Sequence, residues 1–265
     1  MRVAFIGGGI MGEAMVKSLL AKGVVTNADV VVSDIAQERR KALKEKYSVR
    51  ITDDNRAAVV DVDVVVLAVK PQELSGVLDQ IRGSLSGQLV LSIVAGASLD
   101  SLRRGLDYGR LVRAMPNMPA QIGEGVTVWT ATSEVTSRQR GMAKSILGAM
   151  GEEVYVDSEK YVDMATALSG SGPAYVFLVI EALVDAGVHI GLPRQLSERL
   201  VTRTVLGSAQ AVELTGKHPA ELKNMVTSPG GTTAEGLLQL EKGGIRSLLS
   251  QAVIAAYEKA KSLGR

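Results

Sequence analysis

Residues 3–12 read Val3-Ala4-Phe5-Ile6-Gly7-Gly8-Gly9-Ile10-Met11-Gly12, and an amphipathic segment continues to Ala21. The run Val3 to Ile6 is continuously apolar, as a strand buried on both faces would be. The glycines that follow are spaced G-x-G-x-x-G and open a helix-like segment, Met11 to Ala21. Strand, glycines and helix in this order are the context in which a dinucleotide pyrophosphate binds. Gly7 would make the tight turn, Gly9 would let the backbone approach the phosphates, and Gly12 would bring helix and strand close together. A glycine cluster alone can also be an ordinary turn.

Working outward, apolar runs rich in valine and isoleucine recur at Val30 to Ser33, Val64 to Val69 and Leu89 to Val94. Helix-like segments lie between them: Gln37 to Lys46, Gln72 to Ile81 and Leu99 to Leu106. Strand and helix in alternation predict an α/β fold with a doubly wound parallel sheet. Leu111 to Ala114 and Gly125 to Thr130 read as further strands, and Ser137 to Met150 as a helix. From Tyr161 the periodicity turns almost wholly helical, with breaks at Gly170–Pro173, Gly191–Pro193, Gly216–Pro219 and Ser228–Gly231. Two domains are expected, residues 1–158 and 159–265. So few helices enclose little core by themselves, so the second domain is expected to pair with its copy.

Asp34 ends the second apolar run, where an acid accepts hydrogen bonds from adenosine ribose hydroxyls and repels a 2′-phosphate. That favours NADH over NADPH, although Arg39 or Arg40 could still meet a phosphate. In Ala68-Val69-Lys70-Pro71-Gln72, Lys70 either contacts the cofactor or is a surface lysine before a helix. Arg113-Ala114-Met115-Pro116-Asn117-Met118-Pro119 is a stiff loop that either builds a nicotinamide pocket or is a structured turn. Leu168-Ser169-Gly170-Ser171-Gly172-Pro173-Ala174-Tyr175 permits close backbone approach to a helix or a ligand.

Near the C-terminal end, Thr227-Ser228-Pro229-Gly230-Gly231-Thr232-Thr233-Ala234-Glu235-Gly236 precedes another apolar, helix-like run. Its backbone N–H groups and threonine hydroxyls would form a cradle for an anion. Glu181, Asp185 and His189 share a helical face but span about 12 Å at ~1.5 Å per residue, too far for one metal ion. A polar stripe is expected there and no metal. His218 has no visible nucleophile to serve.

Composition narrows the classes. The chain has 265 residues, 46% of them apolar, and a formal net charge of +2. Charges are interleaved and aromatics are 3% of residues, so nucleic acid is not an expected partner. Without cysteine there are no disulfides, thiol nucleophiles or thiolate metal sites. A strand-like segment from Arg2 leaves no room for a signal peptide. The most apolar run, Ala174 to Val184, contains Glu181 and falls short of a membrane span. A soluble cytoplasmic protein with a small-molecule substrate is expected.

The segments FIGGGIMGEA, AVKPQ, RAMPNMP, SGSGPAY, TSPGGTTAEG and GGIRSLL together resemble the pyrroline-5-carboxylate reductases, in that family's order and across nearly the whole chain. SGSGPAY and SPGGTT are far more specific than the glycine pattern. Met118 departs from the family, which commonly has threonine there. The resemblance implies a Rossmann domain followed by an all-α dimerisation domain, assembled as dimers and often as decamers. It implies reduction of L-1-pyrroline-5-carboxylate to L-proline with NADPH or NADH. By position, Ile6, Gly7, Gly8, Gly9, Ile10, Met11, Gly12, Asp34, Asn55, Ala68, Val69, Lys70, Pro71, Ala95 and Gly96 would line the cofactor. Ser228, Gly230, Gly231, Thr232 and Thr233 would hold the substrate carboxylate, and Thr166 would hydrogen-bond the ring nitrogen.

Such chemistry needs a hydride and an already protonated imine, so orientation matters more than a strong protein acid. A second reading is a β-hydroxyacid dehydrogenase-like enzyme, which normally uses a lysine on the first helix of its second domain. Here the nearest lysine is Lys160, outside SGSGPAY. A third is a redox-sensing scaffold, for which the anion cradle would have no purpose.

Overall fold

The computed structural model describes residues 1–263. The first half runs β1 (Val3–Ile6), α1 (Ile10–Ala21), β2 (Val30–Ser33), α2 (Gln37–Tyr47), β3 (Arg50–Thr52), α3 (Asn55–Ala58), β4 (Val64–Leu67) and α4 (Leu74–Ile81). It continues through β5 (Leu89–Ser92), α5 (Leu99–Leu106), β6 (Leu111–Met115), β7 (Gly125–Ala131), α6 (Ser137–Gly148) and β8 (Gly151–Tyr155). The remainder is helical: α7 (Lys160–Ala165), a π-turn (Thr166–Gly170), α8 (Gly172–His189), α9 (Arg194–Thr215), α10 (Pro219–Met225), α11 (Thr232–Lys242) and α12 (Ile245–Leu263).

The eight strands form one sheet in the order β3-β2-β1-β4-β5-β6-β7-β8. β1 lies between β2 and β4, with Val3 opposite Val30 and Val64. Strand order therefore reverses at β1, and the crevice beyond the carboxyl ends of β1 and β4 is where such sheets bind ligands. The expected doubly wound parallel sheet is present, with one antiparallel pair. β7 runs antiparallel to β6, with Val112 opposite Ala131, and β8 returns parallel to β7.

Alternation along the strands splits the core into two layers. Val3 and Phe5 face Met15, Leu19, Leu43 and Ile146 on one side of the sheet. Ala4 and Ile6 face Leu78, Ile81 and Leu102 on the other. Both layers are fully buried, which is why these strands read as unbroken apolar runs. Each large side chain removed from water here contributes about 1.5–3 kcal/mol.

The chain divides into two compact units: Met1–Ser171 with the chain from Ala256, and Gly172–Ala255. Taken alone, the second unit hardly has a core. Among its described residues only Val184 and Ser197 are buried. Ser197 Oγ donates to the Val184 carbonyl at 2.8 Å, and a Cβ on Gly187 would collide with that hydroxyl, so α8 and α9 meet through small residues. Phe177, Leu178, Leu183, Leu200, Leu206 and Leu248 stand exposed. Counted through the π-turn, Lys160–His189 is 30 residues and is long and apolar enough to cross a membrane by length and composition. The break expected at Gly170–Pro173 falls where the π-turn ends and α8 begins, and Ser171 between them keeps right-handed helical backbone angles.

Candidate functional site

At the carboxyl ends of β1, β2 and β4 a cleft of about 440 Å³ opens. Eight of the residues expected at the cofactor line it: Ile6, Gly7, Gly9, Asp34, Asn55, Ala68, Val69 and Lys70. The loop that forms its floor is shaped by steric limits. Gly7 has φ 101°, in the region that favours glycine, and a Cβ there would lie 2.6 Å from the Ala68 carbonyl oxygen. A Cβ on Gly12 would lie 2.4 Å from the Gly7 carbonyl oxygen, so the first turn of α1 rests against the turn itself. Gly9, at the N-cap of α1, has open space above it. A close backbone approach by phosphate is therefore possible over Gly9, while Gly7 and Gly12 face inward. Gly8 is buried against Leu43 and does not line the cleft.

Polar groups around the loop are already oriented. The Asp34 carboxylate accepts from the Gly8 N–H and the Ala36 N–H, each at 2.8 Å. Arg39 donates to the Gly8 carbonyl and pairs with Glu13. Arg40 donates to the Asp34 carbonyl at 2.6 Å and to Asp53 at 3.1 Å. Lys46 and Tyr47 also donate to Glu13, at 2.8 and 2.9 Å. The Lys46 ammonium above all, then Arg39 and Tyr47, lower the Glu13 carboxyl to about 2 despite its burial. Asn55 accepts from Ser33 Oγ and donates to Gln80 Oε1, both at 2.6 Å, which fixes its amide at the wall of the cleft.

Not every expected residue gathers here. Pro71, Ala95 and Gly96 line a separate cavity of about 500 Å³ with residues of α4 and α5. Ile10, Met11 and Gly12 lie in the first turn of α1 without lining the cleft. The Pro116–Pro119 loop shows its structural side: buried Asn117 accepts from the Val126 N–H at 3.0 Å and so anchors β7. Sequence reasoning missed Ile35, which is 83% exposed beside Asp34 at the cleft. An isoleucine set in the polar turn Ser33-Asp34-Ile35-Ala36-Gln37 was the available signal. For Gln80 there was none, because its link to Asn55 crosses 25 residues.

Thr166 starts the π-turn and is half-buried, its hydroxyl donating to the Val162 carbonyl at 2.8 Å. Ser169 and Ser171 likewise donate back to the helix, to the Ala165 and Thr166 carbonyls. Hydroxyls that compete for backbone carbonyls in this way loosen regular α-helix, and π-turns of this kind are frequent at functional sites.

In the second unit, Gly230 has φ 68° and Gly231 caps α11 with no side-chain partner. A Cβ on Gly231 would lie 2.4 Å from Ser228 Oγ, so glycine is required for that hydroxyl to sit where it does. Among the described residues, the hydroxyls of Ser228, Thr232 and Thr233 have no hydrogen-bond partner. The amides of a helix's first turn lack intrahelical acceptors. Three free hydroxyls beside such amides are an arrangement that can receive an anion. The polar stripe at Glu181, Asp185 and His189 is partly satisfied by Arg194, which donates to Asp185 at 2.8 Å. Among the described residues no group of three histidine, aspartate or glutamate side chains is placed to hold a metal.

Comparison with known proteins agrees with both halves of this description. Residues 159–263 match the family description "pyrroline-5-carboxylate reductase dimerisation", and residues 2–96 match "NADP oxidoreductase coenzyme F420-dependent". A pyrroline-5-carboxylate reductase from Synechocystis sp. is 44% identical over 100% of this chain and 98% of its own. The structure of such a reductase from Coxiella burnetii superposes with a TM-score of 0.91 at 38% identity, covering 100% of this chain and 98% of the other. That of a Plasmodium falciparum pyrroline carboxylate reductase with NADP bound gives 0.92 at 33% identity, with the same coverage. Strand order, glycine loop, π-turn and C-terminal hydroxyl cluster thus occur together in a chain that belongs to the pyrroline-5-carboxylate reductase family.

Proposed function

We propose that this chain reduces L-1-pyrroline-5-carboxylate to L-proline with NAD(P)H. The observation that carries the reading is the cradle of three free hydroxyls at the start of α11, in a chain of this family. A reduced dinucleotide fits the cleft: the glycine loop leaves room only above Gly9, and Asp34 is held where a ribose would lie. When bound, the dinucleotide supplies the hydride. The open backbone at Gly9 seats its pyrophosphate on the turn that Gly7 and Gly12 shape, Asp34 accepts from the ribose, and Lys70 and Asn55 line the wall. Ser228, Thr232 and Thr233 hold the substrate carboxylate.

Thr166 serves the ring nitrogen. Its own proton is committed to the Val162 carbonyl, so its remaining lone pairs are acceptors for a protonated imine N–H. Catalysis then rests on alignment of two bound partners and not on a strong acid. Asp34 favours NADH: its carboxylate repels a 2′-phosphate, and Arg39 and Arg40 are occupied by Glu13 and Asp53.

The second domain, from residue 159, is read as a dimerisation domain, a reading supported by the matched span and by its bare apolar faces. Its last two residues lie outside those described. A second copy is the proposed cover for these faces, because Glu181 and Asp185 interrupt the helix that would otherwise suit lipid. Further assembly into decamers rests on the resemblance alone. The cytoplasm is the proposed location, as for a biosynthetic enzyme.

The substitution Thr233→Ala tests the cradle. KM for pyrroline-5-carboxylate should rise about tenfold or more, a loss of one charge-assisted hydrogen bond, while KM for the dinucleotide stays put. Equal effects on both constants would contradict a carboxylate role.

A further inference from the structure

The proposed function leaves one buried cation unexplained. Arg113, on β6, is 4% exposed and binds two carboxylates, Glu159 at the N-cap of α7 and Asp163 within it. Its Nη1 lies 2.7 Å from Glu159 Oε1 and its Nη2 lies 2.5 Å from Asp163 Oδ1. Glu159 Oε1 also accepts the Leu99 N–H at 2.8 Å, at the first residue of α5. One guanidinium therefore joins β6, the start of α5 and the start of α7. All of these residues belong to the first unit.

What this junction holds is the approach to Thr166. Asp163 precedes Thr166 by three residues, so the two share a helical face. The carbonyl that receives the Thr166 proton belongs to Val162, the residue next to Asp163. The far end of the π-turn lies beside the same strand: a Cβ on Gly170 would lie 3.1 Å from Met115 Cε, at the end of β6. The helical turn before Thr166 is thus tied by an ion pair to the strand that carries Arg113, and the end of the π-turn lies beside that strand. A planar guanidinium with two carboxylates sets direction as well as distance, which a lysine cannot do.

We propose that Arg113 is a positioning residue, clamping Glu159 and Asp163 so that the π-turn presents Thr166 to the ring nitrogen. This rests on the reading of Thr166 given above. The test is a double-mutant cycle of Asp163→Asn with Thr166→Val, scored on kcat at saturating substrate and on KM for the dinucleotide. Thr166→Val alone should lower kcat by about 100-fold, and Asp163→Asn alone by about tenfold, with dinucleotide KM unchanged. In the Thr166→Val background, Asp163→Asn should cost nothing further. The same fold-loss in both backgrounds would mean that the clamp does not act through Thr166, and the inference fails while Thr166 stands. An unchanged kcat in Thr166→Val would remove the reading of Thr166 and the inference with it. An unchanged kcat in Asp163→Asn would overturn the clamp alone. Should Asp163→Asn not fold, Glu159→Gln opens the other half of the clamp and is held to the same outcomes.

Discussion

Glu13 gives the sharpest test of how the glycine loop is held, because one carboxylate gathers Lys46, Arg39 and Tyr47 beside it. A carboxyl moved from 4.5 to about 2 corresponds to about 3 kcal/mol of preference for the charged form in the folded state. The Lys46 side chain is 63% exposed, and solvent screens its share, so about 1–2 kcal/mol should survive as stability. The folded pKa is depressed. The contribution is therefore complete above the unfolded value near 4.5 and drains away as pH falls toward about 2. Glu13→Gln should lower the free energy of urea unfolding by about 1–2 kcal/mol at neutral pH, and the gap to the parent should narrow steadily in acid. Because Arg39 also holds the Gly8 carbonyl, the variant's KM for the dinucleotide should rise severalfold. A gap of the same size at pH about 7 and about 2.5, or no gap at either, would refute the argument.

Two further substitutions probe the cleft. Gly12→Ala would place a Cβ 2.4 Å from the Gly7 carbonyl oxygen. Thermal unfolding should report a loss of about 1–3 kcal/mol, and dinucleotide KM should rise; a fully stable variant would mean that the contact relaxes freely. Asp34→Ser removes the carboxylate from the proposed ribose position, so the ratio of kcat/KM for NADPH to that for NADH should rise about tenfold or more. A ratio that does not move would take the choice of cofactor away from Asp34.

How much of this was legible in the sequence depended on the physics that wrote each part. The strands β1, β2, β4 and β5 are buried on both faces, and burial of that kind leaves a continuous apolar run. β3 has three residues, too few for any periodicity to show. β8 lies at the sheet's edge and carries Glu152 and Glu153, so it lacks the apolar pattern of a central strand. The antiparallel turn of β7 left no mark in composition, since direction is set by the connection and not by the strand's own residues. Gly7 and Gly12 were readable because each answers a local steric demand, whereas Gly9 stands in open space and was marked by the glycine spacing alone. The clamp at Arg113 was not, because its partners are 46 and 50 residues away. The SGSGPAY segment announced small residues and close approach. Only the structure shows that its hydroxyls turn back onto the helix and make a π-turn.

The central claim is hydride delivery to a cyclic imine whose carboxylate is held at the start of α11. The most direct measurement supplies NADH deuterated at the transferring position of its nicotinamide, together with L-1-pyrroline-5-carboxylate, and follows the label by mass spectrometry. The account predicts cofactor oxidation only when the imine is present, with one deuterium on the proline ring carbon next to nitrogen and remote from the carboxylate. Folded protein that forms no labelled proline with either NADH or NADPH would contradict it.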